Sequence, residues 1–241
     1  MKIIRSLLIF ASASIVLNAC SKKETPGPSV TYKSPTTAHA NITIPAGLQA
    51  QAGKDSVNAM IAVSYMGIAN GLGSYSSFFN LPGGQATTAT ANGAVYSWSY
   101  SGVSEWMTYS VLSDKYTWTY EWKTPELARF TYISAQEAKN GSSGSWEIYD
   151  PSNASHTVVW DYSWTLTGTV YSATMNFYNS GSATTKFVVL DNGNNSGSFQ
   201  YFEGTMKKAD IEWNSNGTGT YWFSDDGTNP TATGSWTAAG K

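Results

Sequence analysis

Few residues in this chain carry reactive side chains, and their spacing narrows the chemistry further. Of 241 residues only one is cysteine, Cys20, and only two are histidine, His39 and His156. A lone thiol makes no internal disulfide, and neither histidine stands at metal-ligand or triad spacing, so both read as solvated. Gly-x-Ser-x-Gly, phosphate-loop and His-Glu-x-x-His patterns are absent. Carboxylates are the remaining candidates for acid–base work. Glu105 shares strand parity with Met107, Tyr109 and Val111, and Glu203 with Phe199 and Tyr201, so both are expected to point inward. As a glycosidase pair they would have to lie within about 10 Å of each other. No catalytic residue, cofactor or metal site is assigned, and the Asn/Gly run 191–197 reads as a hairpin because its spacing is not that of a calcium loop.

Cys20 closes a stretch with its own logic. Lys2 and Arg5 start it, residues 6–17 are apolar, and Leu17-Asn18-Ala19-Cys20 ends it. This is a secretory leader too short to span a bilayer stably. It resembles the lipobox of bacterial lipoproteins, and the resemblance implies that Cys20 is acylated and begins the mature chain. The expected organisation is a signal at 1–19, a flexible lipidated tether at 20–43 rich in Ser, Thr, Lys and Pro, and one β-rich domain at 44–241. The whole chain resembles Bacteroidota-type lipoproteins of uncharacterised function. That implies a bacterial envelope location, lipid-anchored at the outer membrane on either its periplasmic or its surface face.

Composition excludes some partners. Without Lys2 and Arg5 there remain 12 basic against 16 acidic residues, a balance of −4. No basic stripe offers itself to phosphates, so nucleic acid is not expected. Charged residues are only 12% of the chain, about half the usual share, so the surface must be polar through hydroxyls and amides.

Two periodicities then define the elements. Residues 45–70 suggest one helix near 46–70, with Gly53 as a place where it could split and Asp55 as the cap of the remainder. Val57, Met60, Ile61, Ser64 and Ile68 follow the i, i+3, i+4, i+7 rule and form the stripe expected to face the core; Ala59, Ala62, Val63 and Met66 lie opposite. From about residue 92 the period becomes 2. Tyr116, Trp118, Tyr120 and Trp122 share one face, as do Trp160, Tyr162 and Trp164, against mostly small polar neighbours. Turns at Asn140-Gly141, Asp191-Asn192-Gly193, Asn216-Gly217 and Asp225-Asp226-Gly227 separate these runs, and Gly-Ser-aromatic recurs at 144–146, 197–199 and 234–236.

The fold class is therefore mainly β: an antiparallel meander of about ten to twelve strands, forming a strongly curved sheet or barrel packed around one N-terminal helix. So many strands enclose more space than side chains fill. Trp118, Trp122, Trp160 and Trp164 are then either core or the lining of a site for an apolar ligand or lipid, and Trp106, of opposite parity, is expected outside, where it could serve a glycan. The first reading is a non-catalytic binding protein with an apolar ligand on its concave aromatic face. A carbohydrate-binding or envelope-interaction module is the second, and a glycoside hydrolase the third. A looser likeness is to the periplasmic lipoprotein carriers and receptors, whose half-open sheet shelters acyl chains, although their helices are more numerous.

Overall fold

The structure is a computed structural model that describes residues 30–36, 42–54, 56–71, 78–152 and 155–238. Residues 1–19, expected as a leader, and Cys20, His39 and Asp55 lie outside the described residues. Two helices, α1 (Ala46–Ala52) and α2 (Val57–Gly71), come first. Thirteen strands follow: β1 (Ala86–Thr90), β2 (Gly93–Tyr100), β3 (Val103–Val111), β4 (Lys115–Lys123), β5 (Phe130–Ala138), β6 (Ser143–Tyr149) and β7 (Val158–Thr167), then β8 (Val170–Asn179), β9 (Ser182–Asp191), β10 (Gly197–Glu203), β11 (Met206–Trp213), β12 (Gly219–Ser224) and β13 (Pro230–Trp236). They form one antiparallel sheet in strict sequence order, open between β1 and β13. The mainly β meander around N-terminal helical structure is thus observed. The unforeseen strand is β1, an Ala/Thr run exposed along its whole length. It has no apolar alternation to betray it, and it is fixed by pairing with β2 alone.

Hairpin chemistry explains the simple order. The glycine of each expected turn, at 141, 193, 217 and 227, has positive φ. Two further tight turns use Ser101-Gly102 and Ser180-Gly181, in which both central residues have positive φ, the geometry that matches strand twist in two-residue loops. The recurrent Gly-Ser-aromatic motif also finds its cause. Gly144 stands opposite Trp164, and Gly234 opposite Tyr221. A Cβ on Gly144 would lie 2.7 Å from Trp164 Nε1, and one on Gly234 would lie 2.2 Å from Tyr221 Cζ. The ring from the neighbouring strand lies over the bare backbone, and only glycine leaves room for it.

The helices overturn one expectation. Gly53 does divide the helical stretch, and Ser56 Oγ accepts from the Ala59 amide at 3.4 Å, as an N-cap does for α2. Yet Val57, Met60, Ile61 and Ile68 are 66%, 50%, 38% and 41% exposed, while Ala59, Ala62 and Met66 are buried against the sheet. The face expected to be inside is outside. Volume is the reason: the concave wall is built of large rings, so close packing favours the helix side with small residues. Tyr65 completes that side, its ring 5.6 Å from Phe199 and 5.4 Å from Tyr201.

The chain before the helices is also part of the fold. Residues 30–36, expected within a tether reaching to 43, run across the inner face. Tyr32 packs edge-on to Tyr96 and Tyr109, each at 5.3 Å, and donates to the Phe79 carbonyl at 2.5 Å. Trp118 Nε1 donates to the Lys33 carbonyl at 2.8 Å. Glu137, 2% exposed, takes the Lys33 ammonium at 2.8 Å and the Thr36 amide at 2.5 Å. Farther on, Ile42 and the Asn70 side chain exchange two hydrogen bonds of 2.8 and 2.7 Å, which tie this segment to the end of α2.

Candidate functional site

The inner face is not uniform, and the difference locates the site. Trp118, Trp160 and Trp164, expected as core or ligand wall, are 1%, 8% and 4% exposed and belong to the packed core. Trp118 lies edge-on to Phe79 at 6.3 Å, and Trp160 against Trp146 at 4.4 Å. Toward the end of β2–β5 the cover thins. There Trp98, Glu105, Tyr120, Trp122 and Tyr132 are only half-buried, and Tyr100 beyond them is exposed.

Register builds this group. Trp98 stands opposite Glu105, and Glu105 opposite Trp122, so the carboxylate lies between two indoles in one cross-strand row. The pairing of β4 with β5 then slips: Tyr120 faces Ile133 and Glu121 faces Thr131, which leaves Tyr132 as the extra residue of a bulge. The bulge brings Tyr132 to the inner face beside Trp122, where the two rings stack at 4.7 Å and 18°. Strict alternation gave Tyr132 and Ile133 opposite faces, and the local signal was two large apolar residues in succession. Trp98 and Tyr120 stack at 6.1 Å, and Tyr120 meets Tyr132 edge-on at 6.3 Å.

Glu105 organises the rings. Trp98 Nε1 donates to its Oε2 at 2.9 Å and the Tyr120 hydroxyl donates to the same oxygen, so Oε1 keeps its acceptor capacity for another donor. Burial above all, and then the bond to Glu105, push the Tyr120 hydroxyl far above the ordinary tyrosine range; burial also raises Tyr132. These phenols therefore remain neutral donors at physiological pH. The arrangement offers flat apolar ring surface beside a fixed anionic acceptor, which suits a ligand with both a C–H face and hydroxyl donors.

The other expected positions fare differently. Glu105 points inward, as its parity predicted. Glu203 keeps its inward parity but sits exposed at the rim, at the end of β10, accepting from the Tyr201 hydroxyl at 2.6 Å with Lys208 at 3.8 Å. Glu105 on β3 and Glu203 on β10 are seven strand positions apart, about 34 Å along the sheet, in neighbourhoods that share no residue. Trp106 is on the outer face as expected, but it is half-buried, and the Arg129 guanidinium lies 4.4 Å over its ring. Glu121 holds that guanidinium through bonds of 3.1 and 2.6 Å, so one face of the indole is covered. Trp222, in an outer groove of about 610 Å³ with Asp210, Glu212 and Thr233, has Lys207 over it at 5.4 Å. His156 is exposed and stacked on Phe130 at 5.5 Å.

Among the described residues no helix is long and apolar enough to cross a membrane, and no group of three or more His, Cys, Asp or Glu is placed to hold a metal. Compared with known proteins, the chain matches no family model and no curated protein.

Proposed function

We propose that this is a lipid-anchored binding protein of the bacterial envelope, held at the outer membrane through Cys20, that takes a glycan in the aromatic cradle around Glu105. The lipobox Leu17-Asn18-Ala19-Cys20 supports the anchor. One observation carries the ligand class: a carboxylate oriented by Trp98 and Tyr120, flanked by the partly exposed rings of Trp122 and Tyr132. Sugar C–H faces stack on such rings, and sugar hydroxyls donate to such an acceptor. The reading with an apolar ligand deep in the concavity has less support, because it needs Trp118, Trp160 and Trp164 to be accessible. A hydrolase would need a second carboxylate beside Glu105, and Glu203 stands elsewhere.

The test is a glycan array with the full-length protein, followed by calorimetry on the best ligand. Trp122→Ala and Glu105→Gln are each expected to weaken binding at least tenfold. An array without hits, or variants that bind like the parent, would overturn the glycan reading. The anchor is tested apart from it: Cys20→Ala should move the protein to the soluble fraction with its β circular dichroism unchanged.

A further inference from the structure

The outward face of α2 is an apolar surface on an element without charge. Val57, Met60, Ile61 and Ile68 project from it into solvent, and neither α1 nor α2 contains a charged residue. A helix on a protein surface ordinarily turns charged or strongly polar side chains outward. Within α2 the polar side chains flanking the stripe are Asn58 and Ser64, and the Ser64 hydroxyl is turned back onto the Met60 carbonyl at 2.8 Å.

We infer that this face rests on the lipid surface beside the anchor. The inference rests on the lipoprotein reading of Cys20. Nine residues, 21–29, separate Cys20 from Val30, the first described residue, so ten Cα–Cα steps reach at most about 36 Å. From residue 30 the chain is fastened to the inner face of the sheet, the same side on which the helices lie, by Tyr32, Lys33 and Thr36. The anchor therefore keeps residue 30, and with it the side of the sheet on which α2 lies, within about 36 Å of the bilayer.

At that distance the bilayer is present at high effective concentration, so a weak apolar contact suffices. The lack of charge within α2 fits this occupant, since no Lys or Asp of the helix itself has to be stripped to bring it among headgroups. A second copy fits less well. Four side chains on a helix of 15 residues fall short of the roughly 800 Å² per partner typical of a stable protein interface.

Acylated full-length protein carrying Ile61→Cys, with Ser163→Cys on the outer face of the sheet as reference, provides the test. Acylation blocks Cys20, so a bimane label reports only the new site. The protein is floated on vesicles of phosphatidylethanolamine and phosphatidylglycerol with brominated acyl chains. Quenching at position 61 at least threefold stronger than at 163, reproduced with Met60→Cys, is the expected result. Equal quenching in floated protein would overturn the docking and leave the anchor standing. Concentration-dependent cross-linking through position 61, without quenching, would assign the face to a second copy and overturn it too. Protein that fails to float would refute the anchor reading, and the docking with it.

Discussion

The contact between Lys33 and Glu137 makes an asymmetric prediction. Glu137 is almost wholly buried, whereas Lys33 is about one-third exposed and also lies 4.4 Å over the Tyr116 ring. Lys33→Met keeps most of the stem that packs on Tyr116 but leaves a buried carboxylate with, among the described residues, only the Thr36 amide to compensate it. Breaking a fully buried pair costs about 3–5 kcal/mol, and exposed pairs are worth under about 1 kcal/mol. For a pair with one buried and one half-exposed member, about 2–3 kcal/mol is expected. Glu137→Gln removes the buried charge instead, leaves Lys33 free to swing into water, and retains an acceptor for the Thr36 amide; about 1 kcal/mol is expected. Urea unfolding followed by tryptophan fluorescence measures both. At a slope of about 2.5 kcal/mol per M, Lys33→Met should lower the midpoint by about 1 M and Glu137→Gln by less than half of that. If Glu137→Gln proved the more damaging, desolvation of the carboxylate would not be what Lys33 offsets. The buried carboxylate would then not be what holds residues 30–36 on the sheet.

Two further outcomes follow from burial. Ile61→Ser and Val57→Ser on the outward face of α2 should change stability by no more than about 0.5 kcal/mol, whereas Met66→Ala on the inward face should cost about 2–4 kcal/mol in the same assay; the reverse order would restore the other helix face to the core. Tyr162, through burial, and Tyr178, through its bond to Asp161, have their hydroxyls pushed up to about 12 from the usual 10.0, and burial also raises Tyr32, Tyr120 and Tyr201. The fold holds these protons more tightly than the unfolded chain does, so their stabilisation is complete below pH 10 and is lost as the pH rises through 12. Tyrosinate absorption at those phenols should therefore appear together with loss of β circular dichroism; full ionisation near pH 10 with the fold intact would refute the assignment.

Alternation of aromatic and small polar residues made the strands of the meander legible, but not β1, because a sheet covered on one side imposes a period of two on its residues. Turn residues gave their order. Where the backbone departs from that period, parity alone misleads. The bulge in β5 turns Tyr132 inward, and Glu137, on the inner face with Ile133 and Ala135, carried no mark of its role because its partners lie about a hundred residues earlier. Glu105 was readable as an inward carboxylate, but its grouping with Trp98, Tyr120, Trp122 and Tyr132 needed the cross-strand register.

By itself the sequence determined the strand meander, the split at Gly53 and the inward Glu105, since each is written in neighbouring residues. Only the tertiary structure decided which side of α2 faces the sheet and where the inner face remains open. Both depend on how much volume the rings of distant strands already fill. Periodicity shows that a helix has two faces, but the shape of the opposing wall selects one of them.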